Sequence, residues 1–161
     1  MKACAFSGHR FIRHSHTLRL RALLGRAVRY AYGEGCRDFL SGGAMGFDLL
    51  AADVVLEMKR EMPDIRLVMI LPCMNQDKKW SDRDRAEYER IVNSADEVIC
   101  LTPAYYNGCM QARNRELVKR ADILIAYLER DSGGTAQTVR LAVDRGLEVY
   151  NLFRALEAQD A

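Results

Sequence analysis

Two glycine turns, Ser41-Gly42-Gly43-Ala44-Met45-Gly46 and Ser132-Gly133-Gly134-Thr135-Ala136, constrain this chain more than any other feature. Each closes a short apolar run and opens an amphipathic one. A glycine pair at a strand-to-helix junction lets backbone N–H groups approach an anion closely. The helix that follows adds the positive end of its dipole. Two such junctions in one small chain predict a cradle for phosphate, and so a nucleotide-like ligand. They do not say whether that ligand is cleaved, carried or sensed.

The rest of the pattern supplies the alternation these junctions require. Residues 3–6, 38–40, 65–71, 97–101, 123–128 and 149–152 read as short strands. Residues 15–32, 44–60, 81–94, 110–120 and 135–145 carry helical spacing, for example Leu24, Ala27, Val28 and Ala31 in the first. Gly33 and Gly35 stop the first helix, Pro63 the second, and Gly146 caps the fifth. The tail beyond residue 152 reads as a frayed helix. Strands alternating with helices predict an α/β, Rossmann-like, doubly wound and mainly parallel sheet with helices on both faces. In such sheets ligands bind beyond the carboxyl ends of the strands. The 161 residues fit one domain, with its core at about 2–152.

Composition narrows the partners. The net charge of only +2 argues against a strongly basic nucleic-acid binder. Cys4, Cys36, Cys73, Cys100 and Cys109 are odd in number and free of CxxC spacing. They read as reduced thiols rather than a disulfide framework or a zinc site. His9, His14 and His16 have no ligand-spaced neighbours, so no metal is expected. No apolar run spans a bilayer and the N-terminus enters a strand directly, which predicts a cytoplasmic protein without membrane insertion. A homo-oligomer and a protein partner both remain open.

The loops at the carboxyl edge hold the chemistry. In Ser7-Gly8-His9-Arg10, Gly8 allows a tight turn, and Ser7 and Arg10 suit a phosphate. His9 suits a base, a donor or a stacking surface; an ordinary polar loop explains these residues equally well. In the first turn, Ser41, Gly42, Gly43 and Ala44 form an anion nest. Met45 reads as packing. Asp48 reads as a helix cap, with a ligand hydroxyl as the alternative. The Walker Lys-Ser/Thr pair is absent, so P-loop hydrolysis has no support. Pro72 ends the third strand at the same edge. Arg113 and Asn114, near the start of a helix, face either the ligand or solvent. In the second turn, Gly133 and Gly134 meet phosphate, with hydroxyls from Thr135 and Thr138. Trp80, Tyr88, Tyr105 and Tyr106 flank the edge; one of them stacking on a base is the alternative to core packing.

Ser7-Gly8-His9-Arg10, Ser41-Gly42-Gly43-Ala44-Met45-Gly46-Phe47-Asp48, Arg113-Asn114-Arg115 and Gly133-Gly134-Thr135, in this order, resemble the SLOG superfamily and its YpsA-like branch. The resemblance runs over residues 2–152. It implies a Rossmann-like fold and a pocket for a nucleotide or nucleotide-derived ligand such as ADP-ribose or a related dinucleotide. It also implies a sensor or regulatory role, in stress or in envelope and division control. More distant relatives imply two alternatives: LOG-type phosphoribohydrolase activity and DprA-like binding of single-stranded DNA. Arg113 falls where the LOG-like arginine would. The LOG turn, however, carries a proline and a following glutamate. Here Ser132-Gly133-Gly134-Thr135-Ala136-Gln137 has neither, which argues against LOG-type hydrolysis unless Asp48 or Glu116 supplies the carboxylate. For the DNA alternative, the only support is Arg19, Arg21, Arg26 and Arg29 in the first helix, which also read as a solvated face.

Overall fold

A computed structural model describes residues 2–160. Six strands, β1 (Lys2–Gly8), β2 (Cys36–Ser41), β3 (Arg66–Leu71), β4 (Glu97–Cys100), β5 (Ile123–Tyr127) and β6 (Glu148–Asn151), form one sheet in the order β4-β3-β2-β1-β5-β6. Every pairing is parallel. The helices are α1 (Thr17–Gly33), α2 (Phe47–Met58), α3 (Asp82–Ser94), α4 (Cys109–Arg120), α5 (Gly134–Asp144) and α6 (Leu152–Asp160), with a short 3-10 turn at His14–His16 before α1. This is the Rossmann-like, doubly wound arrangement.

The period of two along each strand divides the core into two layers. On β1, Cys4 and Phe6 face one layer and Ala3 and Ala5 the other. The first layer packs Leu20, Leu24 and Val28 of α1, Val55 of α2, Ile91 of α3 and Phe153 and Leu156 of α6. The second is thinner and packs Leu117 and Val118 of α4 and Ala142 of α5. α1 shows why it forms where it does: Leu20, Leu24, Val28 and Ala31 recur along one stripe and are fully buried. The tail differs from its expectation as a frayed end. It is a formed helix, because Leu152, Phe153 and Leu156 find buried places against the sheet.

Strand order also sets where a site can lie. The chain adds β2, β3 and β4 outward on one side of β1, then returns to place β5 on the other. The helices that follow β1 and β5 therefore leave the sheet in opposite directions, and a crevice opens between their carboxyl ends.

Candidate functional site

At that crevice lies a cavity of about 270 Å³. The exit of β1 supplies Ser7, Gly8, His9 and Arg10, and the β2–α2 junction supplies Ala44 and Asp48. The first turns of α4 give Met110, Arg113 and Asn114. The β5–α5 junction gives Arg130, Ser132, Gly133, Gly134 and Thr135. Four separate chain segments thus meet at one point. A roomier groove of about 490 Å³ lies beside it and shares Arg10. Several of its charges are already matched, Arg21 to Asp53 and Glu87 to Arg90, so its walls offer little to a polar ligand.

The two glycine turns end up in different states. Gly42 is covered by Arg113: its carbonyl accepts a hydrogen bond from Arg113 Nη1 at 2.8 Å, and a Cβ there would stand 2.6 Å from Arg113 Cδ. The Gly43 amide donates to Ser41 Oγ at 3.3 Å, and Ser41 Oγ donates to the Asp48 carbonyl at 2.9 Å. Leu71, Met69 and Tyr88 close over Gly43. The expected anion nest at Ser41, Gly42 and Gly43 is therefore covered by Arg113, with the Gly43 amide held by Ser41, and none of the three lines the cavity. The second turn is open. Gly133, at φ +94°, is the N-cap of α5 and has no side chain with which to cap it. Gly134 and Thr135, the first residues of α5, line the cavity, and the first amides of a helix have no partner within it.

The remaining expected residues sort in the same way. Pro72 is buried, and its carbonyl accepts from Thr102 Oγ1 at 3.0 Å, away from the cavity. Thr138 Oγ1 donates back to the Gly134 carbonyl at 2.9 Å, a bond within the helix. Met45 lines the neighbouring groove. Trp80 packs edge-on against the buried Tyr88, with ring centres 5.1 Å apart, while Tyr105 and Tyr106 are exposed. Met110 and Arg130 were missed by the sequence reasoning. Arg130 had a signal, a cation two residues before the glycine turn; Met110 carried none.

Asp48 departs most from its sequence reading. It lies in the first turn of α2, but Gly46 is the N-cap and receives no side-chain cap, so Asp48 is not a capping residue. Its carboxyl is buried, faces the backbone amides of Gly8 and Ala44, and leaves Oδ1 without a hydrogen-bond partner among the described residues. Burial pushes its pKa up to about 6, against the opposing pull of the Arg113 guanidinium and the two amides. Arg113 is likewise buried, not solvated. Its Nε donates to Asn114 Oδ1 at 2.8 Å, and burial lowers its pKa while Asp48 holds it up. His9 Nε2 accepts from the Glu129 amide at 2.8 Å, which puts the ring proton of the neutral form on Nδ1. Burial and the nearby Arg130 lower the His9 pKa.

Fold and cavity together define a doubly wound α/β protein with a polar cavity at its topological switch point. The chain belongs to the YspA SLOG family, the YpsA group, whose profile matches residues 12–150. A UPF0398 protein of Halalkalibacterium halodurans is 35% identical over 104 residues, covering 63% of this chain and 55% of that protein. One from Bacillus licheniformis is 34% identical over 130 residues, covering 79% and 64%. The chain therefore spans less than two thirds of either relative. Among solved structures, DNA processing protein A of Helicobacter pylori, described with its single-stranded DNA binding mode, superposes with a TM-score of 0.67 at 19% identity. That match covers 92% of this chain and 63% of that one. DNA processing protein A of Streptococcus pneumoniae gives 0.68 at 16% identity, covering 92% and 49%. At these identities the likeness is one of fold. Among the described residues, no helix is long and apolar enough to cross a membrane.

Proposed function

We propose that the cavity binds a small phosphorylated molecule carrying hydroxyl donors, a nucleotide or nucleotide-derived ligand, and that binding serves a sensing or regulatory role. The observation that carries this reading is the pairing of two unmet demands across one cavity. The open N-terminus of α5 favours an anion, and the buried Asp48 Oδ1 lacks a donor. A ligand with phosphate at one end and a sugar-type hydroxyl at the other meets both. Arg10 and Arg130 at the mouth add positive charge. At about 270 Å³ the cavity is slightly below the usual range for small-molecule sites, which favours a single nucleotide unit over a whole dinucleotide.

A second reading is an N-glycosyl or phosphoribosyl hydrolase, and Asp48 is the observation that favours it. A buried carboxyl with a pKa near 6 is the kind of group a general acid or base requires. Binding of single-stranded DNA gains from the fold of the DNA processing proteins. It loses the support of two of the α1 arginines, because Arg21 pairs with Asp53 and Glu57, and Arg29 with Glu61.

Calorimetry and thermal shift against inorganic phosphate, ribose 5-phosphate, AMP, ADP, ADP-ribose and NAD test the proposal, with product chromatography for each ligand that binds. A ligand at 100 times its Kd raises stability by about 2.7 kcal/mol. Ser132→Glu sets a carboxylate beside the α5 N-terminus and is expected to weaken a phosphorylated ligand about tenfold or more. Asp48→Asn is expected to weaken ligands bearing the hydroxyls but not free phosphate. A released base moves the reading to the hydrolase. No binding by any of the panel, or affinities unchanged in both variants, overturns it.

A further inference from the structure

None of the aromatic residues that the sequence offers as stacking partners lines the cavity. Trp80 packs on the buried Tyr88, and Tyr105 and Tyr106 line neither the cavity nor the groove of about 490 Å³ beside it. Phe11 does line that groove, and it is 81% exposed. A single exposed phenylalanine needs no explanation by itself. What sets Phe11 apart is that the backbone on both sides of it is pinned. The His9 carbonyl accepts from the Phe47 amide at 3.2 Å, and the Arg13 amide donates to the Tyr127 hydroxyl at 3.1 Å. Between them the Arg10 carbonyl rests directly on Gly46, where a Cβ would collide with it.

Groove and cavity are two sides of one wall. Arg10 lines both, and the segment that opens α2 alternates between them. Ala44 and Asp48 line the cavity, while Met45, Gly46 and Leu49 line the groove. Met45, Leu49 and Leu50 give the groove an apolar side. Its charges are mostly spent on one another, since Arg21 pairs with Asp53 and Arg90 with Asp53 and Glu87.

We propose that Phe11 is the base-stacking residue of this protein. The ligand's phosphate and sugar stay in the cavity, and its planar base passes Arg10 to lie against the Phe11 ring. The inference rests on the reading of the cavity as a nucleotide site, and it supplies the one part of a nucleotide that the polar cavity walls leave without a partner. A base has polar edges but apolar faces, and an aromatic ring takes such a face out of water. A ring on a pinned loop loses little freedom when the base arrives. The Arg10 guanidinium stands 5.7 Å from the centre of the Phe11 ring, so the same loop sets a cation where the phosphate and base halves meet. Stacking on a ring face tolerates any base, so the site selects nucleotides as a class over sugar phosphates.

The test is calorimetry of the full chain with AMP and with ribose 5-phosphate, which share phosphate and sugar and differ in the base. AMP is expected to bind about fivefold or more tightly, the low end of what stacking on an aromatic ring contributes. Phe11→Ala is expected to bring AMP down to the affinity of ribose 5-phosphate, and Phe11→Trp to keep the gap or widen it. Equal affinities of the two ligands for the parent chain overturn the inference and leave the reading of the cavity standing. So does a ratio of the two affinities that Phe11→Ala does not change. Binding of neither ligand overturns the reading of the cavity, and this inference with it.

Discussion

At Gly42 an added Cβ would stand 2.6 Å from Arg113, while at Gly133 it would meet nothing within 4 Å. Both glycines belong to a Ser-Gly-Gly run between a strand and a helix, and both runs lie at the same edge of the sheet. The difference comes from what arrives from elsewhere in the chain. The turn after β2 lies beneath α4, which delivers Arg113 onto it, and beneath Leu71 and Tyr88 of the neighbouring elements. The turn after β5 is exposed; the nearest atom to a Cβ built at Gly134 is Asn114 Nδ2, at 3.7 Å. A glycine pair is thus a permit for close approach. Which group makes the approach, an arginine of the protein or an anion from solution, is decided by packing.

This comparison can be broken or sharpened by substitution. The largest effect is expected at Gly46, which ends the first turn with φ +85°. A Cβ there would fall 2.0 Å from the Arg10 carbonyl oxygen, so Gly46→Ala should cost roughly 4 kcal/mol by denaturant unfolding. A loss under about 1 kcal/mol would show that the first turn yields more readily than its contacts imply.

Next is the pH dependence carried by Asp48. Its folded pKa of about 6 lies above the ordinary 3.8, so the folded state holds the proton more tightly. The stabilisation this gives is complete below pH 3.8 and lost as pH rises through about 6, on the order of 3 kcal/mol in all. Asp48→Asn should remove that slope and be the more stable protein at pH 7. His9 acts in the opposite sense. Its pKa is lowered from 6.5, so its contribution is present above 6.5 and lost as pH falls through its folded value. The variant should therefore unmask a loss of stability on the acid side. A pH–stability profile unchanged by Asp48→Asn would show that folding does not raise the Asp48 pKa.

The direct contrast is Gly42→Ala against Gly133→Ala. The first should cost about 2 kcal/mol, because Arg113 must leave the Gly42 carbonyl. The second should cost about 1 kcal/mol, from the positive-φ, extended-ψ backbone of Gly133 alone. At this chain length each kcal/mol corresponds to roughly 2–4 °C in Tm. Equal losses would mean that both turns are filled. The smallest contrast is between helix starts. Ser81 caps α3, its Oγ accepting from the Asp84 amide at 3.2 Å, so Ser81→Ala should cost about 1 kcal/mol. Ser132 stands one residue before the Gly133 N-cap of α5, and Ser132→Ala should change stability by less than about 0.5 kcal/mol.

The fold was legible because its signals are local. Apolar runs, helical spacing and glycine or proline stops all act within a few residues, and β3 needed only its continuous Leu67–Leu71 stretch to read as a strand buried on both faces. The lining of the cavity was legible where loops meet it directly, as at Ser7, His9, Asn114 and Thr135. It was misread at Gly42, Gly43 and Thr138, whose partners are the protein's own groups. Arg113 read in the sequence slightly more as a solvated helix face than as a ligand contact, since a charged residue on a helix looks the same in either setting.

The sequence by itself determined the order of strands and helices, the two glycine junctions, and hence a doubly wound sheet with its loops at one edge. Only the tertiary structure decided that β1 and β5 would be neighbours, that Arg113 would close one junction and leave the other open, and that the Asp48 carboxyl would be buried with one oxygen unpartnered. The physical reason is range. Helical and strand periodicity are set by bonds and contacts a few residues apart. A carboxyl's desolvation and a glycine's covering are set by segments that meet only once the sheet is wound.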